Sequence, residues 1–333
     1  MADLHRVRSR ADPREERPRM NLAIRSTAAA VLTLVTTACT AAQPPAKPEL
    51  STIKVGVMPT ADAAPLFVAI GKGYFEQEGL EVQPVVGTGA GALIPQMEAG
   101  MVDLAQTDYV TTILAGDHGK QVKVIAETAQ AGPASYALVV AKDSKIESLA
   151  DLKGEKVGVN NLNSAATLSV TAMLEDAGMD AEDVKFVERP FPEMADTIAA
   201  GKLDAAWLAE PYLSSSAARG LVRAVPDVAP GRFTDLPTSG WMATDEWRSN
   251  HPATLAAFRR GLAKGLRAAA DRKEVEAVLP KYTKIDAESA RDVSLGAFPT
   301  VLDPQRLQRV ADLMKRHGYL RGSVDVRELI AAP

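Results

Sequence analysis

The sequence predicts an α/β chain of two similar lobes, each built on a mainly parallel sheet and joined by a hinge that the backbone crosses twice. Three observations predict it. The body of the chain repeats once: Lys54-Val55-Gly56-Val57 returns as Lys156-Val157-Gly158-Val159, and Ala99-Gly100-Met101-Val102-Asp103-Leu104-Ala105 is echoed by Ala200-Gly201-Lys202-Leu203-Asp204-Ala205-Ala206, at offsets of 102 and 101 residues. Two matches in one register point to a duplicated unit. Within each copy, near-continuous Val/Ile/Leu runs alternate with helical patterns, which is the signature of a parallel sheet covered by helices on both faces. The length of 333 residues suits about two domains, and 46% apolar with 24% charged residues is the balance of a folded globule.

The first fifty residues stand outside that fold. Residues 1–19 carry six arginines and four acids, and Ala28–Val35 is an apolar run shorter than the ~20 residues a membrane-spanning helix needs. A basic stretch, a short apolar core and small residues make a secretory signal over residues 1–38. A start at Met20 gives a more compact signal, which makes residues 1–19 an over-extended start or a long basic region. Thr36-Thr37-Ala38-Cys39 resembles the lipobox of bacterial lipoproteins, with Thr36 standing where Leu or Val is usual. The resemblance implies lipidation of Cys39; the plainer alternative is a chance cysteine beside an ordinary cleavage site. Residues 39–51, rich in proline, read as a flexible tether.

The first copy then runs as strand Ile53–Val57, helix Ala63–Glu78, strand Leu80–Val86, helix Ala90–Glu98 and strand Leu104–Ala105. The second runs as strand Lys156–Val159, helix Ser164–Ala177, strand Val184–Glu188, helix Glu193–Ala200 and strand Ala205–Leu208. The short apolar segments Tyr136–Ala141 and Ser239–Thr244 read as the two hinge crossings, so that residues 52–138 with 242–333 form lobe one and 139–241 lobe two. Beyond Pro252, Leu255–Arg272 and Pro304–His317 show the period of amphipathic helices packed on lobe one.

Several function classes drop out on composition. A formal net charge of −4 gives no electrostatic grip on nucleic acid. One cysteine excludes a disulfide framework and a Cys-rich zinc site, and the four histidines lack ligand spacing, so neither metal nor cofactor is expected. Ser214-Ser215-Ser216 could offer a nucleophile, but no Gly-x-Ser-x-Gly elbow surrounds it.

Ala64-Pro65-Leu66-Phe67-Val68-Ala69, followed by Gly73-Tyr74-Phe75-Glu76-Gln77-Glu78-Gly79-Leu80-Glu81-Val82, resembles a hallmark of the ABC-transporter substrate-binding proteins for sulfonates, taurine, nitrate and thiamine-pyrimidine precursors. Asp151–Val159 is similar to that family's entry into lobe two, and Ala205-Ala206-Trp207-Leu208-Ala209-Glu210-Pro211-Tyr212 to its segment near the second crossing. The resemblance covers residues 52–320 and implies a type II periplasmic-binding-protein fold. It implies a monomer that passes a small sulfonate- or taurine-like solute to an ABC permease and its ATPase; the lipobox-like Cys39 independently implies that it is lipid-anchored to the outer face of the bacterial cytoplasmic membrane. The alternatives are a binder of an aminopyrimidine or other heterocycle, and a sensor ectodomain. A related enzyme branch makes the thiamine pyrimidine with a cysteine-rich motif; this chain has no cysteine after residue 39.

Candidate ligand residues sit on loops after strands. Gly89 and Ala90, in Gly87-Thr88-Gly89-Ala90-Gly91, and Asn161, Asn163 and Ser164, in the matching loop of the second copy, each open a helix. Two opposed helix N-termini would clamp an anion; otherwise these residues are only turn glycines and caps. Thr60 and Asp62 follow the first strand, Asp62 being either a ligand contact or an N-cap. Asp108 and Tyr109 end the third strand, where the resemblance places ligand contacts, and Glu210 is similarly placed in the second copy. A carboxylate in a cleft needs a cation or an N–H partner, so these acids favour an amine or ring N–H on the solute. Trp207, Trp241, Phe67 and Tyr109 either stack on the solute or fill the core.

Overall fold

The computed structural model describes residues 46–226, 228 and 233–332. The expected signal, Cys39 and the first part of the tether lie outside the described residues. Strands β1 (Thr52–Val57), β2 (Glu81–Val86), β3 (Leu104–Asp108), β4 (Val122–Gln130), β5 (Tyr136–Ala141), β6 (Lys156–Val159), β7 (Lys185–Glu188), β8 (Ala205–Ala209), β9 (Val222–Ala224) and β10 (Pro237–Thr244) form two five-stranded sheets. Their orders are β2-β1-β3-β10-β4 and β7-β6-β8-β5-β9, one topology used twice. Strands β1, β2 and β3 are parallel, as are β6, β7 and β8, while β10 and β5 run antiparallel to both their neighbours. Every residue of β3 and of β8 is buried; β8 is an unbroken small or apolar run, whereas β3 turns polar over Gln106, Thr107 and Asp108, each of whose side chains makes a hydrogen bond.

The helices are α1 (Ala64–Gly71), α2 (Ala90–Glu98), α3 (Tyr109–Asp117), α4 (Ala165–Asp176), α5 (Phe191–Ala199), α6 (Tyr212–Ala218), α7 (Asp245–Asn250), α8 (Pro252–Ala268), α9 (Arg272–Val278), α10 (Ser289–Asp292) and α11 (Pro304–Arg316). Two lobes result, each with one apolar cluster on either face of its sheet. Each large side chain fully buried there contributes about 1.5–3 kcal/mol.

Three expectations shift. Tyr136–Ala141 and Ser239–Thr244 are not crossings but β5 and most of β10, strands inside the sheets; the chain changes sheet just before each, between β4 and β5 and between β9 and β10. A short apolar run cannot by itself distinguish a buried strand from a buried connection. The long helix expected over residues 63–78 stops at Gly71, because Gly73 and Gly79 take φ of 69° and 73°, left-handed turns open to glycine. The helix expected over 255–272 starts at Pro252, whose fixed φ suits a first turn, and ends at Ala268.

Candidate functional site

Between the lobes lies a cavity of about 60 Å³, room for several waters. Lobe one lines it with Met58, Thr60, Asp62, Asp108, Tyr109, Thr238 and Ser239, and lobe two with Tyr136, Asn160, Ala165, Phe191 and Trp207. No Lys, Arg or His is among the described residues that line it.

Asp62 is the polar focus. It does not cap a helix: the residue before its short 3-10 turn is Thr60, and the Asp62 carboxylate turns to the cleft. Its Oδ2 accepts hydrogen bonds from Tyr136 Oη at 2.9 Å, Thr238 Oγ1 at 2.8 Å and Ser239 Oγ at 3.0 Å. The Tyr136 bond joins the lobes, since β5 belongs to the second sheet. Burial pushes the Asp62 carboxyl above its ordinary value, and the three hydroxyls pull it partly back. Nearby, Thr60 Oγ1 is buried with no partner among the described residues; Tyr109 Oη is likewise unpartnered, but it lies against Gly240 near Glu127 and Arg306, inside lobe one.

Asp108 is 6% exposed and caps α3, taking Thr111 N–H on Oδ1 at 3.0 Å and Thr111 Oγ1 on Oδ2 at 2.7 Å. Its Oδ1 also accepts the backbone N–H of Ala165 at 3.0 Å, the first residue of α4 in the other lobe. Burial raises its pKa against those same hydrogen bonds. At the other helix start, Asn161 Oδ1 accepts Gly91 N–H at a long 3.4 Å, and its Nδ2 donates to Glu188 at 2.6 Å. The expected anion clamp is therefore corrected: both helix starts face across the cleft, but each is met by an acceptor from the opposite lobe. Any side chain at Gly89 would collide with Asn161, which explains that glycine by close approach.

The remaining expected residues have other work. Ala90 is core, Ser164 donates to Asn161 O at 2.6 Å at the start of α4, and Asn163, with φ 55°, makes an exposed turn. Glu210 is buried outside the cavity, where it accepts Ser214 N–H at 3.1 Å and Ser294 N–H at 2.9 Å and so ties α6 to the segment beside the hinge. Burial raises the Glu210 pKa, and those donors oppose the rise. Trp241 is fully buried against Phe258 in lobe one, and Phe67 stacks on Tyr282 at 3.9 Å; both are core residues.

Sequence reasoning missed Tyr136, Asn160, Phe191, Phe233, Thr238 and Ser239 among the lining. Tyr136 stacks on Trp207 at 6.1 Å, and Phe233 meets Trp207 edge-on at 5.9 Å, giving the cavity an aromatic wall. The available signal was that Tyr136 and Thr238-Ser239 flank the two crossings, where any interlobe cavity must open. An adjoining hollow, lined by Arg309, Asp312 and Arg316, shares Phe233, Leu236 and Leu313 with the cavity.

Comparison with known proteins gives a consistent outcome. The family model described as NMT1/THI5 like matches residues 60–275. A protein of Escherichia coli (strain K12) named for binding aliphatic sulfonates is 27% identical over 256 residues, 72% of this chain and 76% of that one. A formylaminopyrimidine-binding protein of Halalkalibacterium halodurans is 32% identical over 140 residues, 42% of this chain and 41% of that one. The alkanesulfonate-binding protein SsuA from Xanthomonas axonopodis pv. citri, bound to MOPS, superposes with a TM-score of 0.72 at 17% identity, covering 85% of this chain and 99% of that one. The two-lobed fold is thus that of periplasmic binding proteins. Among the described residues no helix is long and apolar enough to cross a membrane.

Proposed function

Because the chain belongs to the NMT1/THI5-like family, whose solute-binding members serve ABC transporters, we propose that it captures a small aromatic solute bearing N–H or amine donors and delivers it to a permease. The observation that carries this reading is the cavity lining: Asp62 set among aromatic side chains, with no cation to satisfy it. A carboxylate held by hydroxyls can accept a further N–H bond, and charge-assisted bonds of this kind are the strong ones. An oxyanion would meet two carboxylates there, which supports an aminopyrimidine-like heterocycle over a sulfonate. Closure of the lobes about the two connections, β4 to β5 and β9 to β10, would trap the solute and make the form that a permease recognises. Anchoring through a lipid on Cys39, an extracytoplasmic location and a monomeric state belong to the same proposal.

A second reading, a sulfonate or taurine binder, is favoured by the names of the relatives and by Arg309 and Arg316 at the adjoining hollow. Thermal unfolding of the purified protein against an aminopyrimidine, riboflavin, taurine, alkanesulfonates and nitrate separates the two, because a solute that binds only the folded state raises the melting temperature. A rise with the aminopyrimidine, lost in Asp62→Asn, is expected. A rise with sulfonates and none with heterocycles would transfer the conclusion to the second reading. An enzyme of the pyrimidine-making branch is supported less, as Cys39 is the only cysteine.

A further inference from the structure

We propose that Asp108 determines specificity: by laying its own carboxylate on the first N–H of α4 across the cleft, it fills the place of an anionic group and turns anionic solutes away. The proposal rests on the cavity being the solute site. Four observations carry it. The Ala165 N–H to Asp108 Oδ1 bond, 3.0 Å, joins a lobe-one side chain to a lobe-two helix whose positive end opens on the cavity. The nearest other charge among the lining residues is a second carboxylate, Asp62, so no lining side chain offsets a negative solute. Thr60, a lining residue 3% exposed, has an Oγ1 with no partner among the described residues, a neutral hydroxyl that sets no positive charge against an anion. The opposite helix start repeats the device with a neutral side chain, Asn161 on Gly91 N–H, so the lobes close on acceptors that the chain itself supplies.

Each cross-cleft bond also holds the closed form, so Asp108 couples selection to closure. A solute group with a full negative charge would have to displace a carboxylate from the α4 N–H and then sit beside it. A neutral heterocycle leaves that bond intact.

Two variants test this. Asp108→Ser keeps a good cap for α3 but is too short to span the cleft. Asp108→Asn keeps the shape and removes the charge. Calorimetric titrations with methanesulfonate and with 4-amino-5-hydroxymethyl-2-methylpyrimidine are read side by side. The expected result is that Asp108→Ser binds methanesulfonate at least roughly tenfold more tightly than the unaltered protein, with a smaller gain in Asp108→Asn. Equal methanesulfonate affinity in the unaltered protein and in the variants overturns the proposal. If Asp108→Ser fails to fold, Asp108→Asn decides alone, by whether the gain is present or absent. The pyrimidine titration judges the solute class independently: an unaltered protein that ignores the pyrimidine while Asp108→Ser gains methanesulfonate would defeat the proposed function and leave Asp108's role standing.

Discussion

A buried acid is costly unless something uses it, and Asp62 is held ready by three hydroxyls that all donate to the same oxygen. Asp62→Asn is therefore expected to weaken binding of an amine-bearing solute by about 1.5–3 kcal/mol, the worth of a hydrogen bond to a charged group, as measured by calorimetry. The pH dependence follows from the direction of its shift. Burial raises its folded pKa above the ordinary 3.8, so solute affinity is full above the raised value and falls as pH drops through it. Stability without solute runs the other way. Between 3.8 and the raised value the folded form holds the extra proton, so stability falls as pH rises through that window. Asp62→Asn should remove that slope from a series of melting temperatures; a slope unchanged in the variant would mean that Asp62 does not titrate there. Residues of this kind were legible in the sequence by position alone. Asp62, Asp108 and Tyr109, at or just after strand ends, line the cavity; Glu210 also follows a strand but is turned to Ser214 and Ser294, and Trp241 lies inside β10 with its ring on Phe258, so place in the chain alone did not decide direction.

At the scale of elements, α8 owes its place to two contacts that sequence periodicity could not reveal. Gly261 lies against Phe75, and Gly265 against the Pro65 carbonyl and Ala69, so α8 and α1 approach closely with no side chain between them. Gly265→Leu is expected to destabilise the fold by about 1–3 kcal/mol through overpacking, seen as a lower midpoint in urea; an unchanged midpoint would show that the helices can separate cheaply. The start of α8 is capped from a distance by Glu49, whose oxygens accept Ala253 N–H at 2.9 Å, Thr254 N–H at 2.7 Å and Thr254 Oγ1 at 2.8 Å. Although desolvation works against it, these bonds lower the Glu49 pKa to about 2 from 4.5. Its cap is then complete above pH 4.5 and is lost as pH falls towards 2. Glu49→Ala should cost about 1 kcal/mol at neutral pH and nothing below the lower value, measured by chemical unfolding. The paired repeats made β1 to β3 and β6 to β8 readable. Strands β5 and β10 were not, since their pairing partners lie far away in sequence and their apolar runs are equally consistent with a connector.

For the molecule as a whole, closure is built from contacts on both sides of the cavity. Near the hinge, Ala61 N–H donates to Glu210 O at 2.9 Å; on the far side, His317 Nδ1 lies 2.6 Å from Glu175, and Tyr319 Oη lies 3.2 Å from Thr171 Oγ1. Solute binding should shift the population towards this compact form. Small-angle scattering is expected to show a smaller radius of gyration with solute than without, and a Thr171→Val, Glu175→Gln double variant should be wider without solute. Identical scattering in all three samples would mean that the lobes do not open. The repeat made the two-lobed plan legible, but the cavity's chemistry was not, because it is assembled from residues as far apart as Asp62 and Ser239.

The position of β10 also has a consequence in time. All five strands of the second sheet lie within residues 136–224, but the first sheet waits for residues 237–244 to slide between β3 and β4. A chain emerging from its N-terminus therefore holds all the strands of its second sheet while the first sheet is still in two pieces, β2-β1-β3 and a lone β4. The older part of the polypeptide is the younger part of the fold: even after residue 244 the first lobe still lacks α8, α9 and α11, whose Phe258, Val275, Leu307 and Met314 complete its two cores.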